Sequence, residues 1–297
     1  MSATPPLSDA VLRHLLRVTS EPDLAGTYYE LAGMLGRGGM GIVYAVQDKR
    51  LLRKVAMKVL HSGGVIEEEA RIVASLEHAG IVPIHETGAL PDGRSYYTMR
   101  LVEGRGVDEY LTPDTPLSER LRVFQKICET VAFAHSRGVV HRDLKPGNIM
   151  AGPFGDVLIL DWGIARRTGA AERPGVVAGT PQFMAPEMAA GESHLADQRA
   201  DIYSLGALLD FSLPARAPRA LRAVADKARS QLPEDRYPDA VELNREIGRF
   251  LDGEAVLAHR ESVPEKLRRF GARNATLLLL LSAYAAARFF LFFLGRS

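Results

Sequence analysis

The run His141-Arg142-Asp143-Leu144-Lys145-Pro146-Gly147-Asn148, followed across a short apolar stretch by Asp161-Trp162-Gly163, carries most of the chemistry in this chain. Asp143 is a carboxylate that can take a hydroxyl proton. Lys145, two residues on, can balance charge on a phosphoryl group in transit. Asn148 offers a neutral amide oxygen and Asp161 a carboxylate, both hard ligands of the kind Mg²⁺ takes. These are the parts phosphoryl transfer requires. Each has an ordinary structural reading when taken singly, but the set in this order and spacing points to that chemistry.

Upstream, Gly36, Gly38 and Gly41 punctuate GRGGMGIV. Residues without a Cβ let backbone come close to phosphate oxygens. Alone, such a run also fits a hairpin turn or a dinucleotide fingerprint. The residues that follow it, Ile42 to Val46, read as strand rather than helix, which argues against a dinucleotide site. Val55-Ala56-Met57-Lys58 then places a lysine among apolar neighbours, as on a strand whose lysine emerges into a cleft.

Together these motifs resemble the protein kinases of the Ser/Thr type, in the eukaryotic-like (Hanks-type) superfamily, over roughly Tyr28 to Leu251. GRGGMGIVY and GTPQFMAPE are most similar to the bacterial, membrane-anchored kind. The resemblance implies ATP and Mg²⁺ (or Mn²⁺ in its place) as cofactors and proteins bearing Ser or Thr as substrates. It makes Asp143 the base or orienter of the substrate hydroxyl, with Lys145, Lys58 and Glu69 as the other catalytic residues. Glu67 and Glu68 are adjacent competitors for the partner of Lys58, and the register of EEEARIVASLEH favours Glu69. Asn148 and Asp161 become the metal ligands. Nucleotide contacts fall to Leu35, Gly36, Gly38, Gly41 and Lys58, with Val43 and Ala56 above the adenine and Met150 below it. Met99 becomes the gatekeeper, and Val102 follows it in the hinge.

The same resemblance makes Thr180, in Gly179-Thr180-Pro181, a partner of Asp143 and Lys145, as in Ser/Thr kinases. It makes Glu187 a buried carboxylate paired with Arg236, and Asp201 a holder of the catalytic-loop backbone. Thr168 is the hydroxyl between Gly163 and Thr180 at which phosphate, attracted to Arg142, could regulate the segment. Two departures stand out. Trp162 replaces the usual Phe of Asp-Phe-Gly, so an indole must fit beside His141 and Val73 and its N–H needs a partner. Asp201 and Arg236 also stand unusually close in sequence, so the helical part is shortened between them, with a risk of exposed apolar surface. A nucleotide-binding pseudokinase or scaffold is the alternative reading. A small-molecule phosphotransferase would not need Thr180 or the Ala185-Pro186-Glu187 segment.

The elements that must position these residues form an α+β pattern. Residues 28–101 are strand-rich, with strands expected near Val55–Leu60, Ile81–His85 and Tyr96–Leu101 and one helix at Glu67–Leu76. Residues 102–252 are dominated by helices, including one expected over Pro218–Ser230. Residues 1–27 form an extension with a short amphipathic stretch (Val11, Leu12, Leu15, Leu16). At 297 residues and 46% hydrophobic, the chain has material for a two-lobed domain with a full core. A net charge of +1 gives no global field to collect a polyanion, which excludes a nucleic-acid binder on charge grounds. The one cysteine, Cys128, cannot form an internal disulfide and sits in an apolar helical pattern, as an inert core thiol would.

Residues 275–294, ATLLLLLSAYAAARFFLFFL, match the ~20 apolar residues needed to cross a bilayer core of about 30 Å. Arg288 lies near the end, where its stem can snorkel. Lys266, Arg268, Arg269 and Arg273 crowd the preceding segment, residues 253–274. The expectation is a single-pass membrane protein with its main domain cytoplasmic. A buried hairpin helix or an oligomerisation surface, and with it a homodimer, is the alternative use of that helix.

Overall fold

The computed structural model of the chain describes residues 21–39, 41–61, 66–167, 179–192, 194 and 197–294, without the side chains of 66–68, 272 and 290–294. The expected N-terminal amphipathic stretch and Thr168 lie outside these residues, as do the side chains of Glu67 and Glu68. The chain divides into two compact units, Met1–Glu103 and Gly104–Ser297.

The first unit is an antiparallel sheet with one helix. Its elements are β1 (Tyr29–Arg37), β2 (Gly41–Asp48), β3 (Arg53–Leu60), α1 (Ile66–Ala74), β4 (Ile84–Ala89) and β5 (Ser95–Arg100). The strand order is β1-β2-β3-β5-β4. Alternation along the pleat sends Tyr44, Val46, Val55, Met57, Val59 and Tyr96 to one side. There they join Tyr29, Ile42 and Leu90 in a buried cluster. The opposite face carries Val43, Lys58 and Tyr97 in one cross-strand row and Ala45, Ala56 and Met99 in the next. The strand expected at Ile81–His85 begins later, at Ile84. Pro83 has no N–H to give a ladder, so Ile81 and Val82 are buried ahead of the strand instead of within it.

The second unit begins with β6 (Arg105–Gly106), α2 (Val107–Tyr110), α3 (Leu117–Ser136) and β7 (Val139–Val140). The hairpin β8 (Ile149–Ala151) and β9 (Val157–Ile159) follows, then β10 (Arg166–Arg167) and α4 (Pro186–Ala189). It closes with α5 (Gln198–Ser212), α6 (Arg219–Ala228), α7 (Ala240–Leu251), α8 (Val263–Arg273) and α9 (Ala275–Leu294). Helix α3 buries Leu121, Phe124, Ile127, Cys128 and Val131 at helical spacing and packs on α7 and β9. Cys128 is fully buried there and desolvation pushes its thiol well up, consistent with an inert core position. Asp197 and Asp239 start α5 and α7 by accepting from the backbone N–H of Arg199 and Glu242.

The short connection from α5 to α6 does not leave α5 bare. Leu205, Leu208 and Leu209 are buried, and α6 covers α5 with Leu221, Val224, Ala225 and Ala228. A Cβ at Gly206 would stand 2.7 Å from Ala228 Cβ and 3.0 Å from Ala225 O, so the two helices meet where only glycine fits. Phe211, partly exposed, packs edge-on to Phe183.

Helix α9 is present over the residues expected to span a bilayer. Among the described residues, however, no helix is long and apolar enough to cross a membrane, so the expected span is not supported there. Side chains on α9 are described only as far as Phe289.

Candidate active site

On the face of the first sheet opposite its buried cluster, Lys58 Nζ lies 2.8 Å from Glu69 Oε1, and both side chains are 7% exposed. Such burial of two charges is tolerable only with close pairing. The ion pair ties α1 to β3, as expected. Sequence reasoning missed a third member: the Tyr97 hydroxyl donates to the same Glu69 oxygen at 2.8 Å. The only hint was the pair Tyr96-Tyr97 in one strand, since neighbours must face opposite sides. Tyr96 is in the core and Tyr97 joins the site face.

The glycines divide by role. A Cβ on Gly41 would collide with Val59 O of the neighbouring strand, so this glycine serves sheet packing. Cβ atoms on Gly36 would meet nothing within 4 Å, and on Gly38 only Gly41 O at 4.0 Å. Neither residue has positive φ. Their lack of side chains is therefore not demanded by protein around them, and it leaves open space beside the backbone. Leu35, in β1, is exposed, and Val43, Met99 and Val102 are half-buried.

In the second unit the catalytic-loop candidates converge on one carboxylate. Asp143 Oδ2 accepts from Lys145 Nζ at 2.7 Å and Asn148 Nδ2 at 3.1 Å. Its Oδ1 accepts from the Thr180 hydroxyl at 2.9 Å, and Thr180 in turn accepts from Lys145 at 2.8 Å. A carboxylate has about four lone-pair sites, so Oδ1 retains acceptor capacity. Lysine has three N–H donors, and Lys145 has committed two.

Below this loop sits fully buried Asp201. Its Oδ1 accepts from Arg142 N, and its Oδ2 from His141 N and His135 Nε2, each at 2.8 Å. Burial alone would raise its carboxyl, but the hydrogen bond from His135, the nearby histidines and the His141 amide hold it below the usual range. Arg142 has φ of 70°, sterically costly for a residue with a side chain, and the bond from its amide to Asp201 fixes that conformation. His141 is buried, which lowers its pKa and keeps the ring neutral. Nδ1 accepts from Asp143 N at 3.3 Å, and Nε2–H donates to Leu160 O at 3.1 Å.

The β8–β9 hairpin brings the metal candidates side by side. Ile149 pairs with Ile159, and the next rung is Leu160 N donating to Asn148 O at 2.7 Å. Asp161, the residue after that rung, has φ of 54° and is exposed. Among the described residues no group of three or more His, Cys, Asp or Glu is arranged to hold an ion. The Asn148 amide oxygen and the Asp161 carboxylate are two hard oxygen donors, which suit a metal such as Mg²⁺ that keeps most of its shell for phosphate and water. Asn148 commits its amide nitrogen to Asp143 and keeps its oxygen for that use.

A sequence-family description, the protein kinase domain, matches residues 29–248. The chain belongs to the protein kinase family. It is 33% identical, over 81% of its length, to a serine/threonine-protein kinase PknD of Chlamydia muridarum. It is 35% identical, over 75% of its length, to the PknD of Chlamydia pneumoniae. The kinase chain described here spans about a third of the first of these relatives and 28% of the second.

Two kinase features depend on pairs far apart in sequence. Arg236 grips Glu187 with two bonds of 2.8 Å and also donates to the carbonyls of Ser230, Arg199 and Gln231. This satisfies a guanidinium whose side chain is fully buried. Trp162, in the place of the family's Phe, is buried with its ring 4.5 Å from that of His141. Its N–H finds the carbonyl of Ile159 at 3.4 Å, so the indole is accommodated within its own hairpin. Val73 is buried in the first unit, and Met150 is half-buried in β8 of the second.

Proposed function

We propose that this chain is an ATP-dependent protein kinase that phosphorylates Ser and Thr hydroxyls, itself included. The observation that carries the proposal is the closed set of hydrogen bonds among Asp143, Lys145, Asn148 and Thr180. Asp143 Oδ1 has room for one more donor, and an acceptor hydroxyl is the donor it would orient and whose proton it would receive. The uncommitted N–H of Lys145 is the donor for a phosphoryl oxygen. Lys58, oriented by Glu69 and Tyr97, holds the nucleotide phosphates in this reading. Gly36 and Gly38 let backbone approach them, and Ala56 and Met99 offer apolar surface to the base.

Protein kinases in general use ATP with Mg²⁺. Asn148 and Asp161 would hold that ion with their oxygens, the remaining positions coming from phosphate and water, and it would supply neutralisation of phosphate charge. The serine/threonine assignment is supported by the Lys145–Thr180 pair and by the printed names of the relatives. Labelled ATP, Mg²⁺ and a generic protein acceptor test it directly. Label recovered on phosphoserine and phosphothreonine is expected, and label confined to phosphotyrosine or to no residue would refute it.

The proposal includes a single-pass tether through α9, with the kinase domain on the cytoplasmic side. Five successive residues, Leu277 to Leu281, are all exposed, as are Tyr284 and Phe289. Consecutive helical residues point around the whole circumference, so none of the described residues covers a face of this stretch. Helix α9 runs over the same residues, Ala275–Leu294, that the sequence offers as a span. The basic residues of α8 favour the cytoplasmic orientation. Retention of the full chain in the membrane pellet after an alkaline wash is expected, and complete release would remove the tether.

A further inference from the structure

Helix α8 leaves its apolar side uncovered and pairs its polar side with the loop just before it. Arg269 pairs with Glu261 at 2.9 Å, and Glu265 closes a capping box with Ser262 and lies 3.3 Å from His259. The loop carrying those partners is itself anchored, with Val256 buried and Ala258 N donating to Glu246 of α7 at 2.9 Å. On the other side Val263, Leu267 and Phe270, at i, i+4 and i+7, form a stripe that is 70%, 66% and 60% exposed. Exposed Lys266 and Arg273 lie along one edge of the stripe, and exposed Arg268 lies further round the helix.

An apolar stripe edged by cations has the chemistry of a surface that is oily within and negative at its rim. We propose that α8 lies flat on an anionic lipid surface. Val263, Leu267 and Phe270 would enter the acyl boundary, and Lys266 and Arg273 along its edge would meet the headgroups. The inference extends the membrane reading of α9, which follows directly at Ala275, but it rests on a different face and a different lipid property. A bare apolar tether is indifferent to headgroup charge, whereas this docking requires it. It would also hold the kinase domain at a fixed orientation against the bilayer, since Glu261 and Glu265 lock α8 to the preceding loop.

The test uses the full chain carrying a polarity-sensitive bimane probe on Leu267→Cys, with Glu234→Cys on an exposed turn as control. Native Cys128 is buried and does not label in the folded protein. Vesicles of phosphatidylcholine, with or without phosphatidylserine, are added, and retention after alkaline washing is scored in parallel. The expected result is a blue shift of the Leu267→Cys probe with the anionic vesicles only, weakened by salt and by Lys266→Glu with Arg273→Glu, and no shift at the control.

Protein retained in the vesicles without a shift, or with an equal shift on neutral lipid, overturns the α8 proposal and leaves the tether standing. A shift without wash-resistant retention supports α8 and removes the tether. Neither signal overturns both. A vesicle-independent shift that grows with protein concentration assigns the stripe to a second copy of the chain, and overturns the lipid proposal.

Discussion

In the first unit Ala56, Lys58, Tyr97 and Met99 share one surface because the pleat delivers every second side chain there and β3–β5 pairing fixes the rows. In the second, Asp143, Lys145, Asn148 and Thr180 sit on loops with no such repeat, and their placement depends on hydrogen bonds from below. Three of these go to Asp201, whose side chain is buried completely. The sheet-borne half is thus held redundantly by backbone ladders, whereas the loop-borne half hangs on a few buried polar groups. Damage to one such group should spread through the second half but remain local in the first.

The largest expected effect is chemical. Asp143→Ala should lower kcat by roughly 10²–10⁴-fold, the usual worth of a positioned acid–base group. Thermal unfolding of the variant would check that the fold persists.

Next is Asp201→Ala, which strips two backbone amides and His135 of their shared acceptor. A loss of about 3 kcal/mol is expected by urea unfolding, together with a fall in kcat, although Asp201 touches no reacting atom. If stability falls but kcat per folded molecule does not, the loop is held by something else. Acid sharpens the same point. The folded Asp201 carboxyl lies below its unfolded value, so its contribution is present above about pH 4 and is lost as pH falls through the folded value. His141 acts earlier: the unfolded ring takes a proton near pH ~6.5 that the buried ring refuses, so stability declines as pH drops below that point. The urea midpoint of Asp201→Asn, followed against pH, should lack the lower, carboxylate part of this decline.

The smallest effect is in the sheet. Tyr97→Phe removes one of the two donors on Glu69 and should cost about 1 kcal/mol. It should appear as a several-fold rise in the KM for ATP with kcat changed less. A collapse of kcat would show that the first unit is as fragile as the second.

Much of this arrangement was legible from residue order. The Lys58–Glu69 pair, the Thr180 link to Asp143 and Lys145, and the Glu187–Arg236 pair are all implied by the resemblance of their motifs to those of the protein kinases. What escaped was set by register and packing. Tyr97 reaches Glu69 only because β5 pairs with β3 in one register, and a one-residue slip would put Tyr96 there. Gly36 and Gly41 look alike in the motif, yet only the close approach of Val59 separates a packing glycine from those beside open space. The partner of the Trp162 indole is a carbonyl in its own hairpin, which no side-chain pattern encodes. The fit of α6 over α5 includes a close approach at Gly206, so a short connection that reads as a deficit in sequence is closed in three dimensions. The outward stripe of α8 is visible as a period, but its direction is not. The contacts of Arg269 with Glu261 and of Glu265 with Ser262 and His259 show which side is paired.

The most direct measurement is single-turnover transfer from labelled ATP and Mg²⁺ to protein, comparing wild type with Asp143→Asn at matched nucleotide occupancy. The account predicts label on serine and threonine of the wild type, and near-background transfer by a variant that still binds nucleotide. Equal transfer by both proteins, or none by the wild type with its nucleotide bound, would contradict it.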